Sequence, residues 1–323
     1  MRKVLLLVVA CLVAAAASGC SLVTVEVVPR TQPLKEMVLE GEGASKVLVI
    51  GVEGVLSESN PKPGMFQLRE EVGMIARLKE ELTKAEGDPA VKAVVLKVNS
   101  PGGSVTASDI ILHELLRFKE KTGVPVVAMM MEVAASGGYY VSCAADRILA
   151  HPTTVTGSIG VLAFKVSAAK LLDIIGVQDE TLKVGDKKDM WSPLRPLTPE
   201  ERTIFQSVID DMDKRFLQVV CAARKPTAAE LATFSDGRIL EAKQALKLRL
   251  VDRLGYIDDA IAEAKSLAKI EKATVTTYAR PRQYRNNVYS VLGPPTEPNM
   301  LGMDTSWMST LTPGVHFMYL WQP

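Results

Sequence analysis

Two nearly unbroken apolar runs, residues 91–98 and 124–131, constrain this chain most. A strand that is apolar at every position, rather than at alternate ones, is covered on both faces, as central strands of parallel sheets are. Each run leads into a glycine-rich turn: Asn99-Ser100-Pro101-Gly102-Gly103 after the first, Ser136-Gly137-Gly138 after the second. Each turn opens a segment of helical character. After the first, Ser104 can cap a helix in which Ile111 and Leu115, and Leu112 and Leu116, fall four residues apart. Successive strand-turn-helix units predict an α/β fold of layered, largely parallel sheets flanked by helices.

The same reading places strands at 47–52, 147–150, 180–184 and 275–278, and helices at 71–85 and 168–175. Thr198-Pro199-Glu200-Glu201 is a helix start: Thr198 caps, Pro199 suits the first helical position, and Glu201 completes a capping box. That helix should run to about residue 223, with shorter ones at 227–232, 241–248 and 258–268. From Arg280 onward the chain is rich in Pro, Gly and Met and reads as irregular. Residues 314–321 are nevertheless too apolar for a solvated tail. They are expected to pack on their own subunit, dock in a neighbour's groove or plug a substrate cleft.

Arg2 and Lys3 precede an apolar run, residues 4–17, which is short for a membrane span and typical of a secretory leader. It closes in Ala17-Ser18-Gly19-Cys20, which resembles a bacterial lipoprotein signal with Cys20 acylated as the new N-terminus. Ala17 stands where leucine is usual, and a plain signal peptide or an uncleaved anchor are the alternatives. Each buried acyl CH₂ contributes about 0.8 kcal/mol, so more than one chain anchors stably. The expected organisation is a signal peptide at 1–19, a tether at 20–45, a catalytic domain at 46–270 and a C-terminal extension at 271–323. The folded part then lies outside the cytoplasm, lipid-anchored in a bacterial cell envelope. A net charge of +1 argues against a nucleic-acid partner. Cys11 falls in the leader, Cys143 reads as a core residue and Cys221 lies on the long helix. No metal-ligand spacing occurs, so no metal or disulfide framework is expected.

The chemistry concentrates at the two glycine turns. A strand end leading into a helix presents free backbone N–H groups. Two of them aimed at one point form an oxyanion hole, and Gly103 and Gly137 are the donors of choice. Ser136, at the start of one turn, is the candidate nucleophile. Either turn alone also reads as punctuation; the pair, one strand-helix unit apart, is more specific. The serine needs a base, and the chain has three histidines. His113 lies along a helix and His316 in the tail, which leaves His151 as the plausible imidazole. Lys187 and Lys188 are the other candidates. A lysine base must be neutral, and lowering its pKa by about 3 units from about 10.4 takes roughly 4 kcal/mol of destabilisation of the ammonium, which burial can supply. The residues alone leave both chemistries open.

Four segments resemble the signal peptide peptidase A (SppA) family, in the family's order. They are Val98 through Val105, Ala134 through Tyr140, Thr156 through Val161, and Lys188-Asp189 through Ser192-Pro193 with Arg195 through Arg202. The likeness runs from about residue 46 to about residue 268. It implies a Ser–Lys dyad endopeptidase with the Clp-protease/crotonase fold and no cofactor. Ser136 matches the family nucleophile and Lys188 the general base, 188 − 136 = 52 residues apart; Lys187 is the rival one register away. Ser158 matches a hydroxyl that orients the lysine amine, and Gly103 and Gly137 match the oxyanion hole. His151 stands where members often carry asparagine and reads as a structural variant. The resemblance also implies released signal peptides and other membrane-associated peptides as substrates. It further implies a homo-oligomer, an octamer for short members, with active sites shared between neighbours. Two rivals are a crotonase-like acyl-CoA enzyme, which export disfavours, and a non-catalytic lipoprotein scaffold, which the filled dyad positions disfavour.

Overall fold

The computed structural model describes residues 33–58, 72–280, 286–290 and 317–321. In chain order the elements are β1 (Lys35–Gly41), β2 (Lys46–Glu53), α1 (Met74–Glu86), β3 (Val91–Ser100), β4 (Gly102–Ser104), α2 (Val105–Thr122), β5 (Val126–Ala135), α3 (Gly137–Ser142), β6 (Arg147–Ala150), β7 (Val155–Gly157), β8 (Leu162–Ala163), α4 (Ala169–Ile175), α5 (Pro199–Arg224), α6 (Ala228–Phe234), β9 (Ile239–Glu241), α7 (Ala242–Lys247), β10 (Arg253–Leu254), α8 (Ile257–Leu267), β11 (Thr274–Ala279) and β12 (Phe317–Leu320). All belong to one compact unit; a second, residues 1–31 and 63–70, lies outside the described residues, and Cys20 with it.

The main sheet runs β1-β11-β2-β3-β5-β6-β10, with β7 joined to β5 and β9. From β11 to β10 its neighbours are parallel, and β1 closes one edge antiparallel to β11. The two faces of β3 explain its unbroken apolar run. Val94, Leu96 and Val98 join a core with Leu78 and Leu82 of α1 and Ile111, Leu115 and Phe118 of α2. Ala93 and Val95 join a second core with Ile257, Ala260, Ile261 and Ala264 of α8. These are the flanking layers expected of the α/β class. Leu116, expected to pair with Leu112 on the apolar face, is instead exposed.

Local signals act as the sequence predicts at the helix starts. Ser104 Oγ accepts the Ala107 N–H at 3.2 Å, and Thr198 and Glu201 form a reciprocal capping box at the start of α5. Two regions differ. Residues 35–41, expected in the tether, form β1, a half-exposed edge strand whose alternation is broken by a bulge between Val38 and Glu40. Residues 180–184, expected as a strand, form none. Leu182 and Val184 are 98% and 96% exposed, because no neighbouring strand offers a ladder to this segment. Exposed apolar residues continue back through Leu171, Ile174 and Ile175 of α4 to Val177.

Helix α3 is buried along its whole length. Its Tyr139 hydroxyl donates to the Leu250 carbonyl at 2.9 Å, and Tyr140 meets Phe216 of α5 edge-on at 5.1 Å. Removing the Tyr139 hydroxyl leaves a carbonyl without that donor. The Tyr139→Phe chain is expected to lose about 1–3 kcal/mol of stability, read as a lower midpoint in urea unfolding with an unchanged slope.

Candidate active site

Ser136 lies where β5 ends and α3 begins, with φ 53° and ψ −116°. A non-glycine residue rarely adopts positive φ, and here two backbone bonds hold it. The Ser136 N–H donates to the Gly157 carbonyl at 2.8 Å, and the Ser136 carbonyl accepts the Tyr140 N–H at 2.9 Å. The residue is 1% exposed. Among the described residues, no hydrogen-bond partner reaches its Oγ.

The two glycine turns meet beside this hydroxyl. Gly102 has φ +99°, and a Cβ there would stand 2.7 Å from the Gly137 nitrogen. Behind Gly137 lies Ser108 Oγ, 2.5 Å from where a Cβ would be. That hydroxyl donates to the Ser104 carbonyl at 2.8 Å. Ser158 follows β7, with φ 50° and its N–H donating to the Arg238 carbonyl at 2.7 Å. The bond from Ser136 N–H to Gly157 places the two serines on adjoining strands. Ser158 borders a cavity of about 380 Å³ that is also lined by Leu162, Asp210, Asp213 and Leu320. Burial, and then neighbouring Asp210, raise the Asp213 carboxyl above its ordinary range.

Lys188 is placed differently. It lies in an irregular turn between α4 and α5, exposed, with its N–H on the Gly185 carbonyl at 3.1 Å. Among the described residues no hydrogen bond or ion pair joins it to Ser136 or Ser158. Lys187 pairs with Glu200. The turn is anchored by Arg195, which clasps Asp189 at 2.7 and 2.8 Å and Glu201 at 2.6 and 2.9 Å. Trp191 stacks on Phe205 at 4.3 Å. Burial, and then Arg195, lower the Lys165 ammonium, whose Nζ donates to the Arg195 carbonyl at 3.1 Å. His151 Nδ1 shares a hydrogen bond with Thr153 Oγ1 at 2.8 Å, and the ring meets Tyr256 edge-on at 4.9 Å. His113 is exposed on α2, and His316 lies outside the described residues.

Ser136, Ser158, Gly103 and Gly137 therefore come together, and Lys188 of the same chain does not join them. Sequence reasoning missed Ser108 behind the Gly137 amide and Leu56, which bridges to Gly103. It also missed the seat taken by Tyr319, whose carbonyl oxygen would lie 1.9 Å from a Cβ at Gly102 and 3.1 Å from one at Gly137. Only the apolar character of residues 314–321 hinted at this last contact.

Residues 118–271 match peptidase family S49, a span that holds Ser136, Ser158 and Lys188. An Enterococcus faecium protein assigned as a signal peptide peptidase SppA is 36% identical over 244 residues, covering 76% of this chain and 70% of that one. Protease 4 of Salmonella typhi is 40% identical over 192 residues, 59% of this chain and 31% of that one. The chloroplastic serine protease SPPA of Arabidopsis thaliana is 32% identical over 248 residues, 74% of this chain and 36% of that one. The chain thus spans about a third of these two longer relatives. A ClpP1 mutant from Listeria monocytogenes aligns at a TM-score of 0.42 and 14% identity, over 66% of this chain and 94% of that one.

The Arg195 clasp makes the stability of this region acid-sensitive. Arg195, followed by the Thr198 N–H, holds the Glu201 carboxyl down at about 2, against an ordinary 4.5. Arg195 and Lys183 hold Asp189 well below the usual carboxylate range. A depressed carboxyl stabilises the fold above its unfolded pKa, and that contribution is lost as pH falls through the folded value. The urea midpoint is therefore expected to drop between pH 4.5 and about 2, and to drop less steeply in Arg195→Met, where the first cause is gone.

Proposed function

Since this chain belongs to the SppA family of serine peptidases, peptidase family S49, we propose that it is a membrane-associated Ser–Lys endopeptidase acting on released signal peptides and other membrane-associated peptides. One observation carries the dyad: a buried Ser136 hydroxyl without a partner sits beside paired glycine amides, while Lys188 stands exposed on an anchored turn. A buried polar group without a partner is costly. Lys188 of a neighbouring copy supplies that partner, and Ser158 orients its amine. The exposed apolar residues of α4 and of 177–184, adjoining the turn in sequence, support a homo-oligomer, with the octamer as the expected number. Transfer of Lys188 into the site removes water from its ammonium and lowers its pKa toward neutrality.

In the resulting cycle, neutral Lys188 Nζ takes the proton from Ser136 Oγ as that oxygen attacks the peptide carbonyl carbon. The Gly103 and Gly137 N–H groups donate to the oxyanion. The C–N bond breaks, and the leaving amine takes the proton back from Lys188. Water then attacks the ester, giving its proton to Lys188 and freeing Ser136. Among the described residues no helix is long and apolar enough to cross a membrane. Anchoring is assigned to acylated Cys20, with the catalytic domain in the cell envelope outside the cytoplasm. The peptidase family sets aside the acyl-CoA reading, and a non-catalytic scaffold would show no cleavage to lose.

With a signal peptide in detergent as substrate, Ser136→Ala and Lys188→Ala are each expected to lower kcat by about 10³-fold or more. Lys187→Ala and His151→Ala should keep the parental rate. Persistent activity in Lys188→Ala together with loss in His151→Ala would move the base to the histidine.

A further inference from the structure

β12 is the middle strand of a second, three-stranded sheet, antiparallel to β4 on one side and to β8 on the other. The far edge of β4 is already taken. The Leu56 N–H donates to the Gly102 carbonyl and the Ser104 N–H to the Leu56 carbonyl, both at 2.8 Å. Along a strand the hydrogen-bonding groups alternate in direction, so the amide and carbonyl of Gly103 face the other way, toward its register partner Tyr319. The Trp321 N–H continues this ladder to the Pro101 carbonyl at 2.9 Å. The Tyr319 carbonyl thus stands at the meeting point of the Gly102-Gly103 and Gly137 turns. Its side chain is fully buried, with ring centroids 5.1 Å from Tyr140 and 4.6 Å from Phe216, and its hydroxyl donates to the Met212 carbonyl at 2.8 Å. Leu320 continues into the wall of the cavity beside Ser158.

An extended backbone between two strand edges, with one carbonyl at paired glycine amides and one ring in an apolar pocket, is held as a peptide substrate would be. We infer that β12 is a built-in competitor for the peptide slot between β4 and β8, and that its Tyr319 occupies a subsite selecting an aromatic residue on the amino side of the cleaved bond. The inference rests on the peptidase reading above. An occupant carried by the chain itself lowers the fraction of open slots, which raises KM for outside peptide and leaves kcat unchanged.

The test uses the full chain carrying Ser136→Ala, so that binding is read without cleavage. A fluorescent heptapeptide, His-Phe-Met-Tyr-Leu-Trp-Gln, is titrated by anisotropy. With β12 closing nine slots in ten, adding Tyr319→Asp should tighten peptide binding about ten-fold, and adding Tyr319→Phe should leave it unchanged. With Ser136 present, Tyr319→Asp should lower KM by the same factor at constant kcat, for a peptide with tyrosine before the cleaved bond. Equal affinities for Tyr319→Asp and its parent, both folded, would overturn the inference. Hydrogen exchange on the unsubstituted chain covers the case in which Tyr319→Asp does not fold. Saturating heptapeptide should speed exchange at 318–320 while 102–104 stay protected; unchanged exchange at 318–320 would overturn the inference. Absent cleavage with intact peptide binding would count against the peptidase reading alone.

Discussion

At Ser136 the chain leaves a strand covered on both faces and enters a buried helix within one residue. Such a turn needs a backbone conformation that costs on the order of 1–3 kcal/mol for a side chain other than glycine. The bond to the Gly157 carbonyl, the fully packed α3 and the close approach of Gly102 together fix it. That one constraint sets where β7 must run, and hence where Ser158 lies. It also explains why neighbouring positions are glycine: a Cβ at Gly137 would meet Ser108, and one at Gly102 would meet the chain opposite. The site is a by-product of joining a buried parallel strand to a buried helix with no room between them.

Electrostatics governs the other half of the site. Arg195 gathers Asp189 and Glu201 and, with Trp191 on Phe205, fastens the turn that carries Lys188 to the start of α5. The turn is held by charge pairs and one ring stack, with little apolar burial, and the adjoining apolar residues stay exposed. Buried carbon and anchored charge thus build two separate halves: a serine without a base, and a lysine without a serine. In the proposed assembly, neighbouring copies unite them, and an isolated chain is protected from untimely cleavage by having no complete dyad.

The sequence makes legible whatever is buried on both faces or written in local chemistry. The runs that become β3 and β5 stand out because both faces are packed, and the start of α5 stands out because Thr198, Pro199 and Glu201 cap it within four residues. β1 was hidden because it is an edge strand with one wet face. Residues 180–184 misled because alternation of apolar residues predicts a strand only where a partner strand exists. At the site, Ser136, Ser158 and the glycine turns were readable because each ends or follows a strand, so local order places them. The placement of Lys188 and the seating of Tyr319 depend on contacts between residues far apart in sequence, or on other copies, and no local pattern encodes them.

The central claim is that the Ser136 of one copy works with the Lys188 of another. It is tested most directly by co-refolding the Ser136→Ala and Lys188→Ala chains, each inactive alone, and measuring peptide cleavage by the mixed oligomers. Recovered activity is predicted, because an intact serine then meets an intact lysine across the interface. Mixed oligomers that form and remain inactive would contradict it.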